Sequence, residues 1–413
     1  MRHVKIWEAE MSGIVVVGAG QAGSSLVVKL RGLGFDGKIT LIGEESAPPY
    51  QRPPLSKKYL LGEMDLERLY LRPEAFYGET GIDLHLSQAV TAIDRDAKLV
   101  TAGGVPVPYD HLVLTTGSVP RRLPVAIGGA LDGVYVVRDL KDVDSMAPEF
   151  EPGRRVLIVG GGYIGLEAAA VAATKGLQVV LVEMAERILQ RVAAKETSDY
   201  FRALHTGRGV DIREGVGLET LLGEARVHGA RLTDGSELEV DFVIVGVGIT
   251  PATALAEAAG LEIDNGIKVD AQGQTSDPHI WAAGDCASFP HQGGRLRLES
   301  VPNAIDMAEC VAENIMGEGK DYVPQPWFWS DQYDVKLQIA GLSTGYDRIV
   351  TREGDAEGHV SFWYYRGDQL LAVDAMNEAR AYMVGKRLID NGKTADPAVV
   401  MDTAADLKAL LEA

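Results

Sequence analysis

The feature that most restricts the fold of this chain is a glycine-rich turn that occurs twice. The first copy lies in "GIVVVGAGQAGSSLVVKLRGLGFDGKITLIGEE" (13–45), and the second lies in "RVLIVGGGYIGLEAAAVAATKGLQVVLVE" (155–183). In each copy a short β-branched run precedes the turn, and a helical stretch, a glycine stop and a second apolar run follow it. This order predicts a strand–helix–strand unit built on a buried parallel sheet. The chain is therefore expected to contain two nucleotide-binding modules.

The first turn has the spacing G-x-G-x-x-G. Gly18 allows a tight turn, Gly20 lets the backbone approach a pyrophosphate, and Gly23 lets the helix pack close to the strand. The helix N-terminus adds unpaired N–H groups and a partial positive charge. Glu44 follows the turn by about 20 residues, where an acid can accept hydrogen bonds from ribose hydroxyls. The segment is therefore predicted to hold a dinucleotide.

The second turn repeats this spacing and ends its unit in Glu183. An acid at this position binds the adenosine ribose diol and repels a 2′-phosphate, which favours NAD over NADP. Arg187 and Arg191 follow soon afterwards and leave the strictness of that preference open. The three glycines of the turn are Gly160, Gly162 and Gly165.

Two dinucleotide sites in one chain indicate a redox relay. The simplest arrangement is an FAD that is held permanently and an NADH that visits. A flavin is needed because nicotinamide donors deliver two electrons together, whereas iron–sulfur and haem acceptors take electrons singly.

The composition of the 413 residues restricts the class of protein. Hydrophobic residues make up 46% and charged residues 24%, as expected for a folded protein of two or three domains. The formal net charge of −19 argues against nucleic-acid binding, which needs Lys and Arg to neutralise phosphates. The sequence contains no apolar stretch of about 20 residues, so no membrane span is predicted. The charged opening "MRHVKIWEAE" lacks the pattern of a signal peptide, Met11 offers a second start, and we predict a cytoplasmic location.

The cysteines and histidines disfavour two further kinds of site. Cys286 and Cys310 lie far apart and form no C-x-x-C motif, so neither a disulfide framework nor a cysteine metal site is expected. Cys286 is expected to be a small buried hydrophobe. The eight histidines show no metal-ligand spacing, so no metal site is predicted.

The C-terminal 90 residues have a different pattern from the rest of the chain. The segments "FWSDQYDVKLQIAGL", "DRIVTRE" and "HVSFWYYRGDQLLAVDAM" predict antiparallel strands joined by short turns. A helical tail is predicted over 378–391 and 402–412.

Several motifs together resemble those of a known family. In chain order they are "GAGQAG", "RPPLSK" (52–57), "TTGSVPR" (115–121), "GGGYIGLE", "GVGITP" (246–251), "AAGDCA" and "WFWSDQYD" (327–334). The combination resembles the NADH-dependent ferredoxin reductases, closest to the putidaredoxin reductase type. Reductases of rubredoxins and of aromatic-ring dioxygenases are related to the same group. The resemblance covers nearly the whole chain.

The resemblance implies a glutathione-reductase-like α/β fold with two Rossmann-type domains and a C-terminal α+β domain. The FAD domain is expected to be split over 12–117 and 249–326, and the NAD domain is expected over 118–248. The C-terminal domain, over 327–413, is expected to cover the flavin and to bind the ferredoxin.

The resemblance also implies which residues hold FAD. Asp285 is expected to accept a hydrogen bond from the ribityl chain, and Val301 begins a helix whose N-terminus faces the pyrimidine edge of the flavin. Lys57 is expected near flavin N5. The full implied FAD set is Gly18, Gly20, Ala22, Gly23, Glu44, Lys57, Val90, Thr116, Gly117, Arg138, Asp285 and Val301.

Three residues are implied in catalysis. Glu167 of "GLE" is expected to pair with Lys57 of "LSK" beside the nicotinamide, and to orient the ring without acting as an acid or base. Trp329 is expected close to the isoalloxazine on the acceptor side, whereas Trp327 is expected in a domain core. The implied NAD set is Gly160, Gly162, Tyr163, Ile164, Gly165, Glu183 and Gly248.

The implied function is NADH-dependent reduction of a [2Fe–2S] ferredoxin that supplies a haem-thiolate cytochrome monooxygenase. A disulfide reductase of this fold needs a redox cysteine near the flavin, and the corresponding segment "PPYQRPPLSKKYL" has none. A Rieske-type dioxygenase ferredoxin or a rubredoxin remains an alternative acceptor. A binding or signalling role like that of apoptosis-inducing factor is a second alternative, which the net charge disfavours. Acidic ferredoxins favour a basic docking patch, for which the candidates are Arg68, Arg72, Arg295, Arg297, Lys386 and Arg387.

Overall fold

A computed structural model describes residues 13–411, so the prediction about the opening segment 1–12 lies outside the described residues. The chain forms two compact units. The first contains the described part of Met1–Gln51 together with Leu66–Val119 and Thr250–Pro324. The second contains Arg52–Asp65, Pro120–Ile249 and the described part of Gln325–Ala413.

The strands within residues 13–411 are, in chain order, β1 (Gly13–Val17), β2 (Ile39–Ile42), β3 (Ile82–His85), β4 (Val90–Asp94), β5 (Leu99–Ala102), β6 (Val105–Leu114), β7 (Ser118–Pro120), β8 (Val134–Tyr135), β9 (Arg155–Val159), β10 (Gln178–Glu183), β11 (Asp211–Glu214), β12 (Leu218–Gly223), β13 (Val227–Leu232), β14 (Glu237–Glu239), β15 (Phe242–Val245), β16 (Ile249–Pro251), β17 (Ile267–Lys268), β18 (Ile280–Ala282), β19 (Ala287–His291), β20 (Gly294–Leu296), β21 (Trp327–Gln332), β22 (Val335–Gly341), β23 (Arg348–Glu353), β24 (Val360–Arg366) and β25 (Gln369–Met376).

The α-helices of the same range are α1 (Gln21–Gly32), α2 (Lys58–Leu61), α3 (Leu66–Leu69), α4 (Glu74–Glu79), α5 (Leu140–Met146), α6 (Tyr163–Thr174), α7 (Lys195–Gly207), α8 (Ala254–Ala258), α9 (Val301–Ile315), α10 (Ala379–Asp390) and α11 (Pro397–Met401). Short 3₁₀ turns cover Pro53–Ser56, Val125–Ile127, Ala147–Glu149 and Leu407–Leu411.

The first unit is built on one large sheet with the strand order β3-β2-β1-β6-β5-β4, to which β18 adds beside β6. Strands β3, β2, β1, β6 and β18 run parallel, whereas β5 and β4 continue the sheet antiparallel through the first half of β6. Strand β1 is buried along its whole length, as its β-branched sequence predicts. Helices α1 and α9 pack against each other and contribute Leu26 and Met307 to this core.

The second unit contains a parallel sheet with the order β11-β10-β9-β15-β8 and a small antiparallel sheet of β12, β13 and β14. Helix α6 is nearly all small and apolar in sequence, with "EAAAVAA" in its centre, and most of its residues are buried. Small side chains let this helix lie close to β9 and β10. Both predicted strand–turn–helix–strand units are therefore present.

The C-terminal segment of the second unit forms an antiparallel sheet with the order β21-β22-β25-β24-β23, and α10 packs on β22 and β25. Trp363, Val373 and Leu388 lie at the centre of this core and are almost fully buried. The predicted antiparallel strands are present.

The last part of the predicted helical tail is wrong. In place of one helix over 402–412, helix α11 ends at Met401 and a 3₁₀ turn covers Leu407–Leu411. The guanidinium of Arg352 donates hydrogen bonds to the carbonyls of Val400, Asp402, Thr403 and Ala405. Those carbonyls therefore turn toward the arginine and away from a helical ladder.

The predicted domain limits and the two units divide the chain at similar points. The first unit matches the predicted split FAD domain, apart from the segment 52–65, which belongs to the second unit. The predicted NAD and C-terminal domains both fall in the second unit. The three-domain division stays a prediction.

Candidate active site

In the first glycine turn, two of the three glycines leave no room for a side chain and the third leaves room for one. Gly18 has φ of +113°, and a Cβ on it would lie 2.2 Å from the carbonyl oxygen of Thr115. A Cβ on Gly23 would lie 2.1 Å from the carbonyl oxygen of Gly18. No atom lies within 4 Å of a Cβ built on Gly20. Only the middle glycine therefore faces free space.

The second turn repeats this arrangement. Gly160 has φ of +110°, and its Cβ would lie 2.4 Å from the carbonyl oxygen of Gly246, while a Cβ on Gly165 would lie 2.1 Å from the carbonyl oxygen of Gly160. Gly162 is open in the same way as Gly20.

Both helices that follow these turns begin without a side-chain cap. Gly20 and Gly162 are the N-cap residues of α1 and α6, and a glycine has no side chain that could accept from the first turn of the helix. The N-terminal N–H groups are therefore available for an anion. An open middle glycine beside uncapped N–H groups fits a dinucleotide pyrophosphate at both turns.

Further residues of the implied FAD set surround the first turn. Ala22 lies beside Gly284, whose Cβ would come within 3.1 Å of the alanine methyl group. The neighbouring Asp285 accepts a hydrogen bond from Ser118 Oγ over 3.0 Å. Val301 begins α9 behind the N-cap Ser300, and the same Gly284 also approaches Ala304 of that helix. The structure therefore brings Ala22, Asp285 and the start of α9 together.

The remaining members of the implied FAD set are more dispersed. Thr116 donates to the carbonyl oxygen of Ala252 over 2.7 Å, and Gly117 has φ of +69°. Val90 begins β4 at the edge of the large sheet. Lys57 and Arg138 belong to the second unit, unlike all the other members.

The acidic residues of the two modules are placed differently. Glu183 is the last residue of β10, and its carboxylate accepts from the N–H of Gly161 over 2.7 Å and from the N–H of Ala185 over 2.8 Å. The residue at the matching position of the first module is Gly43, because Gly18 N–H binds Ile42 as Gly160 N–H binds Val182. A Cβ on Gly43 would lie 2.7 Å from the Ala19 Cβ, and the exposed Glu44 comes one residue later.

One of the two arginines that follow Glu183 is already engaged. Arg187 donates to the carbonyls of Ala193 and Ala194 and to the hydroxyl of Ser198. Arg191 is exposed, and its guanidinium lies about 4 Å from the position of a Cβ on Gly248. The Arg187 guanidinium therefore already donates hydrogen bonds within the protein and is not free to bind a 2′-phosphate.

The predicted ion pair is present. Lys57 Nζ lies 2.8 Å from Glu167 Oε1, with 13% of the lysine side chain and 2% of the glutamate side chain exposed. Two hydroxyl groups complete the carboxylate shell, since Ser56 Oγ donates to Oε2 over 2.6 Å and Ser330 Oγ donates to Oε1 over 2.7 Å. A buried pair needs such additional hydrogen bonds to offset the cost of desolvation.

The local sequence explains how the pair is positioned. Pro53 and Pro54 begin the 3₁₀ turn that ends at Ser56, and Lys57 connects that turn to α2. The Lys57 ammonium also donates to the carbonyl of Pro53 over 3.3 Å. Glu167 is the fifth residue of α6 and points into the unit, so a charged side chain replaces one of the apolar groups of this helix.

Two neighbouring residues at the start of α6 face different surroundings. The Tyr163 ring lies 4.9 Å from the Phe328 ring of β21, and its buried hydroxyl has no hydrogen-bond partner within residues 13–411. Burial raises the pKa of this phenol well above its usual value. Ile164 is 43% exposed and so remains available to a ligand.

The two tryptophans of β21 stack on each other with ring centroids 5.5 Å apart. Trp327 also packs on the core formed by the C-terminal sheet and α10, as predicted. Trp329 is half-buried, and its place beside the isoalloxazine stays a prediction.

Sequence reasoning missed three residues that surround the predicted site. Ser56 and Ser330 bind Glu167, and the Thr115 hydroxyl donates to the carbonyl of Gly18 over 2.8 Å. Ser56 lies next to Lys57 inside "LSK", which was the only signal available for it. The contact of Ser330 spans 163 positions, and no sequence pattern indicates it.

The arginines and the lysine predicted for docking differ in availability. Arg295 donates to Ser288 and to the carbonyl of Val269, and Arg297 donates to the carbonyl of Asp285. Their side chains are only 21% and 11% exposed. Lys386 pairs with Asp390 on α10, whereas the exposed members of the set are Arg68, Arg72 and Arg387.

Comparison with known proteins identifies the group to which this chain is related. Residues 12–308 match the model of the pyridine nucleotide-disulphide oxidoreductases, and residues 327–411 match the reductase C-terminal model. The chain belongs to the pyridine nucleotide-disulphide oxidoreductase family. The predicted glutathione-reductase-like fold is thereby confirmed.

Individual relatives are similar over nearly their full length. A ferredoxin–NAD(P)(+) reductase of Sphingomonas sp is 43% identical, over 93% of this chain and 94% of the relative. Putidaredoxin reductase of Pseudomonas putida is 40% identical, over 97% of each. The crystal structure of a covalent putidaredoxin reductase–putidaredoxin complex aligns with a TM-score of 0.93 at 40% identity, over 97% of this chain and 98% of that chain. The predicted resemblance is confirmed, and this member of the oxidoreductase family uses FAD and a pyridine nucleotide.

Residues 13–411 contain neither a membrane-spanning helix nor a cluster of metal-ligating side chains. Over residues 13–411, no helix is both long enough and apolar enough to cross a membrane. In the same part of the chain, no three His, Cys, Asp or Glu side chains are grouped so that they could hold a metal ion.

Proposed function

We propose that this oxidoreductase is an NADH-dependent ferredoxin reductase, with FAD held at the first glycine turn and NADH bound at the second. FAD bound at the first turn would supply a two-electron acceptor for the hydride of NADH and a one-electron donor for a [2Fe–2S] acceptor. The resemblance in motifs and the 40–43% identity to ferredoxin and putidaredoxin reductases support this assignment.

The Lys57–Glu167 pair is proposed to orient the nicotinamide and to hold a positive charge next to it. The carboxylate has hydrogen bonds on both oxygens, so Glu167 keeps the ammonium in one place. Neither group needs to give up a proton for this role. The pair is therefore an electrostatic and positioning element of the site.

Other residues are proposed to bind the cofactors from two directions. Glu183 accepts hydrogen bonds from the adenosine ribose diol of NADH, and its anionic charge repels a 2′-phosphate. The N-terminus of α9 supplies the Val301 N–H and a positive dipole for a reduced, electron-rich ligand, because Pro302 has no N–H and the Asn303 N–H donates to Ser300. Trp329 is proposed to lie between the flavin and the acceptor.

The observation that supports an external one-electron acceptor most strongly is the state of the cysteines. Cys286 and Cys310 are free and buried, with 0% and 4% of each residue exposed. Burial raises the pKa of both thiols, which suppresses the reactive thiolate. Neither cysteine can therefore act as the thiol acceptor of a disulfide reductase.

The experiment compares acceptors on the FAD-loaded protein. We expect rapid NADH-driven reduction of a [2Fe–2S] ferredoxin and no turnover with a small disulfide such as lipoamide. A variant with Cys286→Ala and Cys310→Ala should keep the ferredoxin rate. Fast disulfide reduction that disappears in this variant would overturn the proposal.

The client of the reduced ferredoxin is proposed to be a haem-thiolate monooxygenase. A Rieske-type dioxygenase ferredoxin and a rubredoxin remain alternative acceptors. Rates with one purified carrier of each class would separate these acceptors, because the preferred carrier should give the lowest Michaelis constant. NADH-induced dimerisation with slow turnover on every carrier would instead favour the binding or signalling alternative. The predicted cytoplasmic location is tested by cell fractionation.

Acceptor docking is proposed to use exposed cations, because ferredoxins of this type are acidic. The set is reduced to Arg68, Arg72 and Arg387, since the other candidates are engaged inside the fold. Ferredoxin reduction should slow as salt rises. A rate that does not depend on salt would remove the electrostatic part of the proposal.

A further inference from the structure

Strand β21 contacts the parallel-sheet part of the second unit through every second side chain. Side chains alternate between the two faces of a strand, so the even-numbered residues share a face that is opposite to that of Trp327 and Trp329. Each even-numbered residue meets one partner on α6 or α7. The contacts are Phe328 with Tyr163, Ser330 with Glu167, and Gln332 with His205.

The polar contacts on this face join into one buried chain of hydrogen bonds. Ser330 Oγ donates to Glu167 Oε1 over 2.7 Å, Gln332 Nε2 donates to Ser330 Oγ over 3.1 Å, and Gln332 Oε1 lies 2.7 Å from His205 Nε2. Ser330, Gln332 and His205 are each 0% exposed. The chain therefore runs from Glu167 to α7 without contact with solvent.

Each donor in this chain has a single possible assignment. The one proton of Ser330 goes to the carboxylate, so the serine oxygen must accept from the Gln332 amide. The Gln332 carbonyl is then left for His205, which must carry its proton on Nε2. Its Nδ1 can accept from the Tyr333 hydroxyl, 3.2 Å away. Burial lowers the pKa of His205 to about 4, so the ring stays neutral as the chain requires.

We propose that Gln332 and His205 are positioning residues for the Lys57–Glu167 pair: they hold the Ser330 hydroxyl as a donor to Glu167 and so fix the carboxylate against the ammonium. An amide in the middle of the chain exchanges protons poorly, so the chain orients its members and does not carry a proton. This inference rests on the proposed role of the Lys57–Glu167 pair in NADH oxidation.

The test uses three variants on the FAD-loaded protein and stopped-flow reduction by NADH. Gln332→Met removes both hydrogen bonds, Gln332→Glu keeps the acceptor for His205 but cannot donate to Ser330 when ionised, and Ser330→Ala removes the last donor. We expect each variant to lower the limiting rate of reduction about fivefold to tenfold, with the dissociation constant of NADH unchanged. Ser361→Ala is the matched control, because Ser361 is equally buried in the same sheet but binds Trp363.

A second readout does not depend on the cofactor. With ¹⁵N-labelled histidine, wild-type protein should show a His205 ring that is protonated at Nε2 and unprotonated at Nδ1. Gln332→Met should lose that tautomer preference, whereas Gln332→Glu and Ser361→Ala should keep the proton on Nε2.

The outcomes separate this inference from the proposed function. If Lys57→Met and Glu167→Gln leave NADH-driven reduction unchanged, the role of the ion pair is wrong, and the inference is wrong with it. If those two variants slow reduction but Gln332→Met and Ser330→Ala match Ser361→Ala, only the positioning inference is wrong. A wild-type His205 protonated on Nδ1 would also contradict it.

Discussion

The two glycine turns have the same backbone, but different side chains hold them. In the first turn, the Thr115 hydroxyl donates to the carbonyl of Gly18. No hydrogen bond described for this turn involves an acidic side chain. In the second, Gly246 takes the place of Thr115, and the carboxylate of Glu183 accepts from the N–H of Gly161. The residue proposed to recognise the ribose therefore also supports the second turn. Ligand recognition and loop geometry are separate in the first turn and coupled in the second.

The largest effect should come from the closed glycines, where the two turns should behave alike. Gly18→Ala and Gly160→Ala place a methyl group 2.2 Å and 2.4 Å from a backbone carbonyl oxygen, far inside van der Waals contact, at a φ that L-residues rarely adopt. We expect each to lower the free energy of unfolding by about 3 kcal/mol or more, measured by denaturant titration. The controls, Gly20→Ala and Gly162→Ala, should change it by less than about 1 kcal/mol. Equal losses in all four variants would show that the turns are not closed as described.

The dependence of stability on pH should distinguish the second unit from the first. Asp374 is buried, and burial raises its pKa to about 6, although Thr197 and Tyr364 donate to it. Between pH 4 and 6 the folded state therefore keeps a proton that the unfolded state has released, so stability falls as pH rises. His205, with a pKa of about 4 when folded, has the opposite effect between pH 4 and 6.5.

Replacing either Asp374 or His205 should reveal the pH dependence that the other residue contributes. In Asp374→Asn the free energy of unfolding should rise with pH from 4 to 6.5, by about 3 kcal/mol from His205 alone. In His205→Gln it should fall by a similar amount from pH 4 to 6. Denaturant titrations across this range measure both slopes against wild-type protein. Parallel slopes in the two variants would contradict the assigned directions.

Alanine at Gly20 and alanine at Gly162 should affect different ligands, FAD in the first case and NADH in the second. Gly20→Ala should weaken FAD retention, so that the protein is purified with less yellow colour, while Gly162→Ala should keep its FAD. Gly162→Ala should raise the Michaelis constant for NADH about tenfold or more, because the added methyl group occupies the space meant for the pyrophosphate. Absorbance spectra and initial rates measure these effects. A Gly162→Ala variant that loses FAD and keeps its affinity for NADH would reverse the assignment.

Replacing Glu183 or Glu44 should have a smaller effect, and only the change at Glu183 should alter the use of NADH. Glu183→Ala should raise the Michaelis constant for NADH several-fold and relax discrimination against NADPH, because it removes both the ribose acceptor and the support for Gly161. Glu183→Gln keeps an acceptor for the loop and loses the charge, so it should relax the discrimination with a smaller rise. Glu44→Ala should leave the NADH constant unchanged. If the ratio of the NADH and NADPH constants is the same in all three, Glu183 does not set cofactor choice.

Much of the fold could be predicted because its signals are local. The glycine spacing, the β-branched runs and the glycine stops all lie within each strand–helix–strand segment. The two stops, Gly34 and Gly176, have the positive φ that is common where a helix ends. The tail beyond Met401 could not be predicted, because a distant arginine, Arg352, binds its carbonyls. A helical sequence pattern cannot reveal such a competitor.

The candidate site was predictable only in part. The Lys57–Glu167 pair followed from a family resemblance and is present at 2.8 Å. Its hydroxyl shell was not predicted, because Ser330 comes to Glu167 from 163 positions away and looks in sequence like any strand serine. The sequence also did not reveal that Glu44 lies one residue beyond the position that matches Glu183. The clash with Ala19 that excludes a side chain at Gly43 depends on the folded backbone.

The central claim is that electrons pass between two dinucleotides and an external carrier without a thiol of this chain. Anaerobic titration of the FAD-loaded protein with NADH tests it most directly, with the flavin absorbance as the signal. We expect complete bleaching with one equivalent of NADH per FAD, because one hydride fully reduces one flavin and Cys286 and Cys310 are free thiols that take up no electrons. A requirement for two equivalents would reveal a second redox group, as in an enzyme with a reducible disulfide, and would contradict the account.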